Sequence, residues 1–262
     1  MKKLSAFFVI LALLFAVNSN SFSQPKFTIN LIGGYSLPLP DLKGDFPGTF
    51  AGFIDTNASA DVNSTYLIKN GFNFGLVGKY AIGKKGNFRI TGGGNYHIFN
   101  QKEDYSDTLA GSFTLENKIN ILDVFLGVEW AFMPKRSKGK IVNPFLGLDL
   151  TGNFTSGKVE TTGDTTITND RKSESRFGLA VGGGIDLAFS KSIGAVIGLK
   201  YNLANLINKE FDSVTTVGAE IPLNDKEHTR GGTTIDAKNI SFIQFYAGVS
   251  FYLGQPKARV RK

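Results

Sequence analysis

Lys79, Arg89, Asp123, Glu129, Asp149, Asp186 and Lys200 are the residues of this chain best placed to do chemistry together. Each is an ionisable side chain set inside a stretch that otherwise alternates apolar with small or polar residues. If the alternation turns all of them toward one enclosed space, opposite charges there must pair, since an unpaired buried charge costs on the order of several kcal/mol. A lumen plugged by ion pairs is the expected result, and a narrow ion path is the alternative. Lys79, Arg89, Glu129 and Asp186 each lie a few residues from a short turn, so they belong to one end of that space. Asp123, Asp149 and Lys200 fall nearer the other end.

Other chemistries find less support. The chain has 262 residues, two histidines and no cysteine, which excludes a disulfide framework, a thiol nucleophile and zinc-thiolate ligation. His97 has no serine at a neighbouring position of its own stretch, and His228 lies in a charged run with Asp225, Lys226, Glu227 and Arg230. Two separated histidines do not make a transition-metal site. The triplets Gly92-Gly93-Gly94 and Gly182-Gly183-Gly184 lie within alternating stretches and not at a strand-to-helix turn, so they read as close-packing positions, not phosphate cradles. No catalytic residue, metal ligand or cofactor is therefore expected, and no nucleic-acid partner.

The elements that would carry these charges are strands. Period-2 alternation occurs eight times after Pro25, and in each case one face is free of charge. Examples are Phe72, Phe74, Leu76, Gly78, Tyr80 and Ile82, or Leu122, Val124, Leu126, Val128, Trp130 and Phe132. The charged residues named above occupy the opposite faces, otherwise largely Gly, Ala, Ser, Thr and Asn. A soluble barrel has its apolar residues inside. Apolar outside and polar inside is the pattern of a barrel dissolved in lipid. The expected fold is all-β: an eight-stranded antiparallel transmembrane barrel.

The connections predict its orientation. Gly83–Gly86, Met133–Lys140 and Ser190–Ser192 are short joins, whereas Pro38–Lys69, Asn100–Asn117, Thr155–Ser175 and Asn205–Lys238 are long ones. Short periplasmic turns alternating with long extracellular loops put both termini in the periplasm. The short turns and the tail carry Lys84, Lys85, Lys135, Arg136, Lys138, Lys140, Lys191, Lys257, Arg259, Arg261 and Lys262 with no acid, which suits a rim set among anionic lipid headgroups. Aromatic residues gather at two heights, as interfacial girdles do. Lys2 and Lys3, the apolar run Leu4–Val17 and the small-polar stretch to Gln24 read as a secretory signal over residues 1–24, cleaved near Ser23 or Gln24. Residues 25–254 are then the barrel and 255–262 a basic periplasmic tail.

The closing stretch Ser241–Leu253 alternates throughout and must pair, so the first strand is its expected partner. Tyr246, Gly248, Phe251 and Leu253 resemble the C-terminal signal by which outer-membrane barrels are recognised for insertion. With the run Gly33-Gly34-Tyr35-Ser36-Leu37-Pro38-Leu39-Pro40 and Lys200-Tyr201-Asn202-Leu203, this stretch makes the chain similar to the bacterial outer-membrane protein beta-barrel domain family, the small eight-stranded OmpA, OmpX, OmpW and PorT-like barrels. The likeness runs from Lys26 to Leu253, without the peptidoglycan-binding domain that follows OmpA-type barrels. It implies a multi-pass protein of the bacterial outer membrane whose partners are outer-membrane lipids, the barrel-insertion machinery and extracellular or envelope protein ligands.

A structural or binding role through the long loops is the expected function. A channel for small hydrophobic or polar solutes is the first alternative, and a lipid-modifying enzyme the second. Loop 1 adds Phe46, Phe50, Phe53 and Ile54, too apolar for a merely solvated segment.

Overall fold

The computed structural model describes residues 25–45, 65–83, 86–107, 111–132, 141–190, 192–212, 220–230 and 233–254. The signal region, the apolar residues of loop 1, every basic turn residue named above and the tail lie outside them. The strands are β1 (Phe27–Pro38), β2 (Asn70–Ile82), β3 (Phe88–Asp107), β4 (Gly111–Ala131), β5 (Ile141–Thr162), β6 (Thr166–Ala188), β7 (Ile193–Ile207) and β10 (Ser241–Leu253), with a small hairpin of β8 (His228–Arg230) and β9 (Thr233–Ile235) in the last long connection. The eight long strands form a closed barrel, order β1-β10-β7-β6-β5-β4-β3-β2, each antiparallel to its neighbours. β10 closes it against β1 from Phe27↔Leu253 to Pro38↔Phe242. That pairing removes both edges.

The two faces follow the alternation. Leu31, Phe74, Leu126, Leu148, Leu150 and Ile197 point outward and are exposed, while Lys79, Arg89, Asp123, Glu129, Asp149 and Asp186 point inward and are buried. Trp130, Phe132 and Phe189 ring the outside near the end that carries the termini. Phe72, Phe154 and Phe177 ring it near the other end, the mouth. Tyr35 and Phe72 meet edge to face in that upper girdle at 5.9 Å.

Two of the four expected long loops are corrected. The segments 100–117 and 155–175 continue the strands, and the joins shrink to residues 108–110 and 163–165. β4 is 21 residues long and β6 is 23, against 12 for β1. At ~3.3 Å per residue β4 runs about 70 Å, well beyond what an apolar band roughly 25 Å tall requires of a tilted strand. β3 to β6 therefore rise past the mouth as a four-stranded sheet. Their upper parts escape a search for apolar outward faces because there the faces exchange character. Phe113, Leu115, Ile119 and Ile121 are buried on the inner face, and Glu116, Lys118 and Asn120 lie on the outer one.

The glycine triplets pack closely, as expected. A Cβ on Gly182 would lie 2.6 Å from Lys200 Cγ, and one on Gly184 2.8 Å from the Phe145 ring. The glycines make room for the side chains that fill the lumen.

Candidate functional site

The inner surface is built in three tiers. At the terminus-bearing end, β2, β3, β4 and β6 contribute Lys79, Arg89, Glu129 and Asp186 to a closed box of alternating charge. Lys79 Nζ lies 3.0 Å from Glu129 and 3.1 Å from Asp186. Arg89 donates to Asp186 at 2.6 Å and also contacts Glu129. The register places Arg89 directly opposite Glu129, and the closure of the barrel brings Asp186 across the lumen. Phe145 lids the box, 3.8 Å from Lys79 Nζ to its ring centre. Two cations and two carboxylates cancel, so the box blocks the lumen without leaving net charge.

Above it, Lys200 Nζ reaches Asp149 at 2.6 Å and lies 4.3 Å from the Phe125 ring centre, and Thr91 donates to the other oxygen of Asp149 at 2.8 Å. Between these layers a cavity of about 20 Å³ remains, lined by Asn30, Thr91, Phe145 and Tyr246 among others. That volume accommodates roughly one water molecule.

The third tier holds an arrangement that spacing along the chain did not suggest. Ser36 Oγ lies 2.9 Å from His97 Nδ1, and His97 Nε2 lies 3.2 Å from Asp123 Oδ2. Asp123 also accepts from the Asn95 backbone N–H at 3.0 Å and from its side-chain amide. Ser36 sits on β1 and His97 on β3, sixty-one positions apart, so only the folding of β2 between them reveals the contact. Hydroxyl, imidazole and carboxylate in sequence are the parts of a nucleophilic relay. Here the relay is shielded from solvent: Ser36 and His97 are 0% exposed and Asp123 2%. Ser36 Oγ accepts a hydrogen bond from Asn73 at 3.1 Å, and the Phe242 ring lies 4.6 Å from the imidazole. The arrangement lets buried polar groups satisfy one another away from solvent.

The mouth above is capped by an apolar core. Leu42, Tyr66 and Ile68 from the first long connection and Leu223 and Ile240 from the last pack on Phe99, Ile119, Ile121, Ala204 and Phe242 of the wall. Tyr66 donates its hydroxyl to Leu223 O at 3.0 Å, and burial raises its pKa well above the ordinary tyrosine value. Arg176, 1% exposed by its side chain, grips Asp225 of the last connection through Nε and Nη2, both at 3.0 Å, and contacts Glu174. Asn205 adds bonds to Asp225 and to Lys238 O. The latch escaped sequence reading because Arg176 and Glu174 fell in or beside an expected loop.

His228 is apart from all of this, stacked on Phe211 at 3.9 Å beside a cleft of about 400 Å³ that mixes Lys172, Lys209 and Lys226 with Glu174, Glu210 and Asp212. Among the described residues no group of His, Asp and Glu is arranged to hold a metal ion. Of the closing-strand signal, Tyr246 and Gly248 face inward, with the Tyr246 hydroxyl packed over Gly198, while Phe251 and Leu253 face outward.

A family model for the outer membrane protein beta-barrel domain matches residues 8–251, and the chain belongs to that family. No curated protein matches it. Similar solved structures include Neisserial surface protein A, at 14% identity and a TM-score of 0.46 over 87% of this chain and 97% of that one. Another is Ail, the attachment invasion locus protein of Yersinia pestis, in complex with the heparin analogue sucrose octasulfate, at 14% identity and a TM-score of 0.40 over 86% and 99%. Resemblance at that level carries no activity from those proteins to this one.

Proposed function

We propose that this member of the outer-membrane barrel family is a plugged mount whose working part is its mouth, with a structural or binding role exercised outside the cell. The observation that carries the reading is the filled interior: a neutral ion-pair box, a second ion pair, a buried polar tier and an apolar cap follow one another along the lumen. A lumen filled in this way argues against the channel alternative. The closed relay at Ser36 gives the enzyme alternative no entry for a lipid.

In this reading residues 1–24 are a signal peptide, residues 25–254 the barrel and residues 255–262 a basic tail, with both termini in the periplasm. The charge-free outer face between its aromatic girdles contacts outer-membrane lipids, and the closing strand with Phe251 and Leu253 is what the insertion machinery reads. Extracellular or envelope protein ligands meet the tall sheet of β3 to β6 and the connections 38–69 and 205–238. Function carried by loops on a rigid scaffold is the general expectation for such an arrangement.

The test is replacement of 38–69 and 205–238 by short Asn-Gly turns. Insertion into the outer membrane should survive while the cellular phenotype disappears. A phenotype that persists in the shortened barrel and is lost on neutralising Asp149 or Lys200 would make the lumen the working part.

A further inference from the structure

Arg171 is a charged group at the mouth that the described residues leave incompletely matched. It lies in the upper part of β6, beyond the girdle residue Phe177. The register shift between Thr155 and Gly157 turns it to the inner face opposite Gly157, where a Cβ would come within 3.1 Å of its Cδ. Its Nη2 donates to Asn117 Oδ1 at 2.9 Å, while its Nε is buried without a hydrogen-bond partner among the described residues. Asn117 offers only a neutral oxygen, and its own amide is committed to Tyr66 O at 2.8 Å. Nearby inner-face residues Leu115 and Val159, and Ile221 bridged to Arg171, are apolar.

The other inward cations of the barrel behave differently. Lys79, Arg89, Lys200 and Arg176 each hold a carboxylate. Arg171 has no carboxylate within ion-pair distance among the described residues. Burial depresses its pKa to about 10, which still leaves it charged at neutral pH. An arginine whose Nε–H is unmatched and whose charge no carboxylate compensates among the described residues is suited to a planar or tetrahedral oxyanion, which a guanidinium fork binds with paired N–H donors. The inner face is turned away from the bilayer, so a lipid headgroup is not the source.

We infer that Arg171 is the anchor of an anion-binding site in the mouth, taking the carboxylate, phosphate or sulfate group of a soluble ligand. The inference deepens the reading of the mouth as the working part and rests on it. Docking the anion needs only that the buried Nε edge be uncovered by a small shift of the cap, because Arg171 is itself only partly buried.

The Arg171 Nε–H resonance of the full chain in detergent micelles reads the site directly. Titration with sodium sulfate, sodium phosphate or sodium acetate, against sodium chloride at equal ionic strength, should give a saturable shift for at least one of the three. Cap resonances such as the Tyr66 amide should follow it with the same midpoint. In Arg171→Gln that midpoint should weaken by about tenfold or more, and Arg171→Lys should recover part of it, since a point charge replaces the fork. A response that never saturates, or one unchanged in Arg171→Gln, overturns the site. None of these failures touches the loop-replacement experiment, so the anion site and the role of the mouth fall separately.

Discussion

β4 carries two different proteins on one strand. From Phe113 to Ala131 its odd-numbered residues face inward, yet their chemistry changes at Asp123. Above that point the inner face is Leu115, Ile119 and Ile121 and the outer face Glu116, Lys118 and Asn120, as in a sheet surrounded by water. Below it the inner face holds Asp123 and Glu129 and the outer face Leu122, Val124, Leu126, Val128 and Trp130, as in a wall surrounded by lipid. The backbone does not distinguish the two regions, for the register with β3 and β5 runs through without a shift. The solvent outside dictates which face is apolar, and the inside takes whatever the outside refuses. The upper region coheres by burying hydrocarbon, the lower by pairing charges in a closed space.

The sharpest way to break that distinction is to remove one interior residue from each region. Asp186→Ala leaves Lys79 and Arg89 competing for Glu129, and breaking a buried network from one side costs about 3–5 kcal/mol. Ile119→Ala in the upper core should cost about 2–5 kcal/mol through the lost contacts and the cavity left behind. The losses are similar, but only the first should be reversible by removing charge. Adding Lys79→Met to Asp186→Ala should restore much of the stability measured by denaturant unfolding in lipid vesicles, whereas the same change beside Ile119→Ala should not. Restoration in both backgrounds would mean that the lower tier is not held by its charges.

The outer faces give the next largest contrast. Leu148→Arg places a cation on the lipid face, where such a change near the bilayer midplane costs roughly 2–4 kcal/mol. Asn120→Arg, on the outer face of the same sheet above the girdle, should change stability by less than about 0.5 kcal/mol, as surface substitutions usually do. Equal costs for the two in vesicle unfolding would erase the boundary drawn at Asp123.

How far this was legible in the sequence follows from the same boundary. The lipid-facing strands were legible because alternation with a charge-free face has no other explanation at that length, and the closure of the last strand on the first follows from the need to hide edges. The upper halves of β3 to β6 were not, because Phe113, Leu115, Ile119 and Ile121 alternate in the opposite sense from the residues below and so looked like loop. The inward positions of Lys79, Arg89, Asp123, Glu129, Asp149, Asp186 and Lys200 followed from parity alone. The pairing of Arg89 with Glu129 also required two adjacent strands in near register. That Asp186 completes the box, that Ser36 meets His97, and that Arg176 holds Asp225 all depend on distances across the lumen or between loops. Strand periodicity carries no information about those.

A double-mutant cycle sharpens the lower tier further. Arg89→Ala and Glu129→Ala should each destabilise, and the pair together should cost less than their sum by about 0.5–3 kcal/mol, the range for residues in one charge network. Because Lys79 also holds Glu129, the coupling should grow when the cycle is repeated in Lys79→Met, where Arg89 no longer shares that carboxylate. Strict additivity in vesicle unfolding would show that Arg89 and Glu129 are neighbours without being partners.

The last contrast belongs to the tier where the two regions meet. Ser36, His97 and Asp123 have the hydrogen-bond order of a nucleophilic relay, but they lie beneath the apolar cap and above the ion pairs, with Ser36 and His97 fully enclosed. Their expected role is to satisfy one another: Ser36 has a donor in Asn73, His97 an acceptor in Asp123, and Asp123 further donors in Asn95. Ser36→Ala should therefore cost about 1–3 kcal/mol, the penalty for leaving a buried partner unsatisfied, and should alter no ester or phospholipid turnover. A fluorophosphonate probe should leave Ser36 unlabelled in vesicles, and it should remain so at temperatures below unfolding, because thermal motion that leaves the cap in place gives the probe no route to the hydroxyl. Labelling of Ser36 in the folded barrel, abolished by His97→Ala, would turn the meeting point of the two regions into a reaction centre and the cap into its cover.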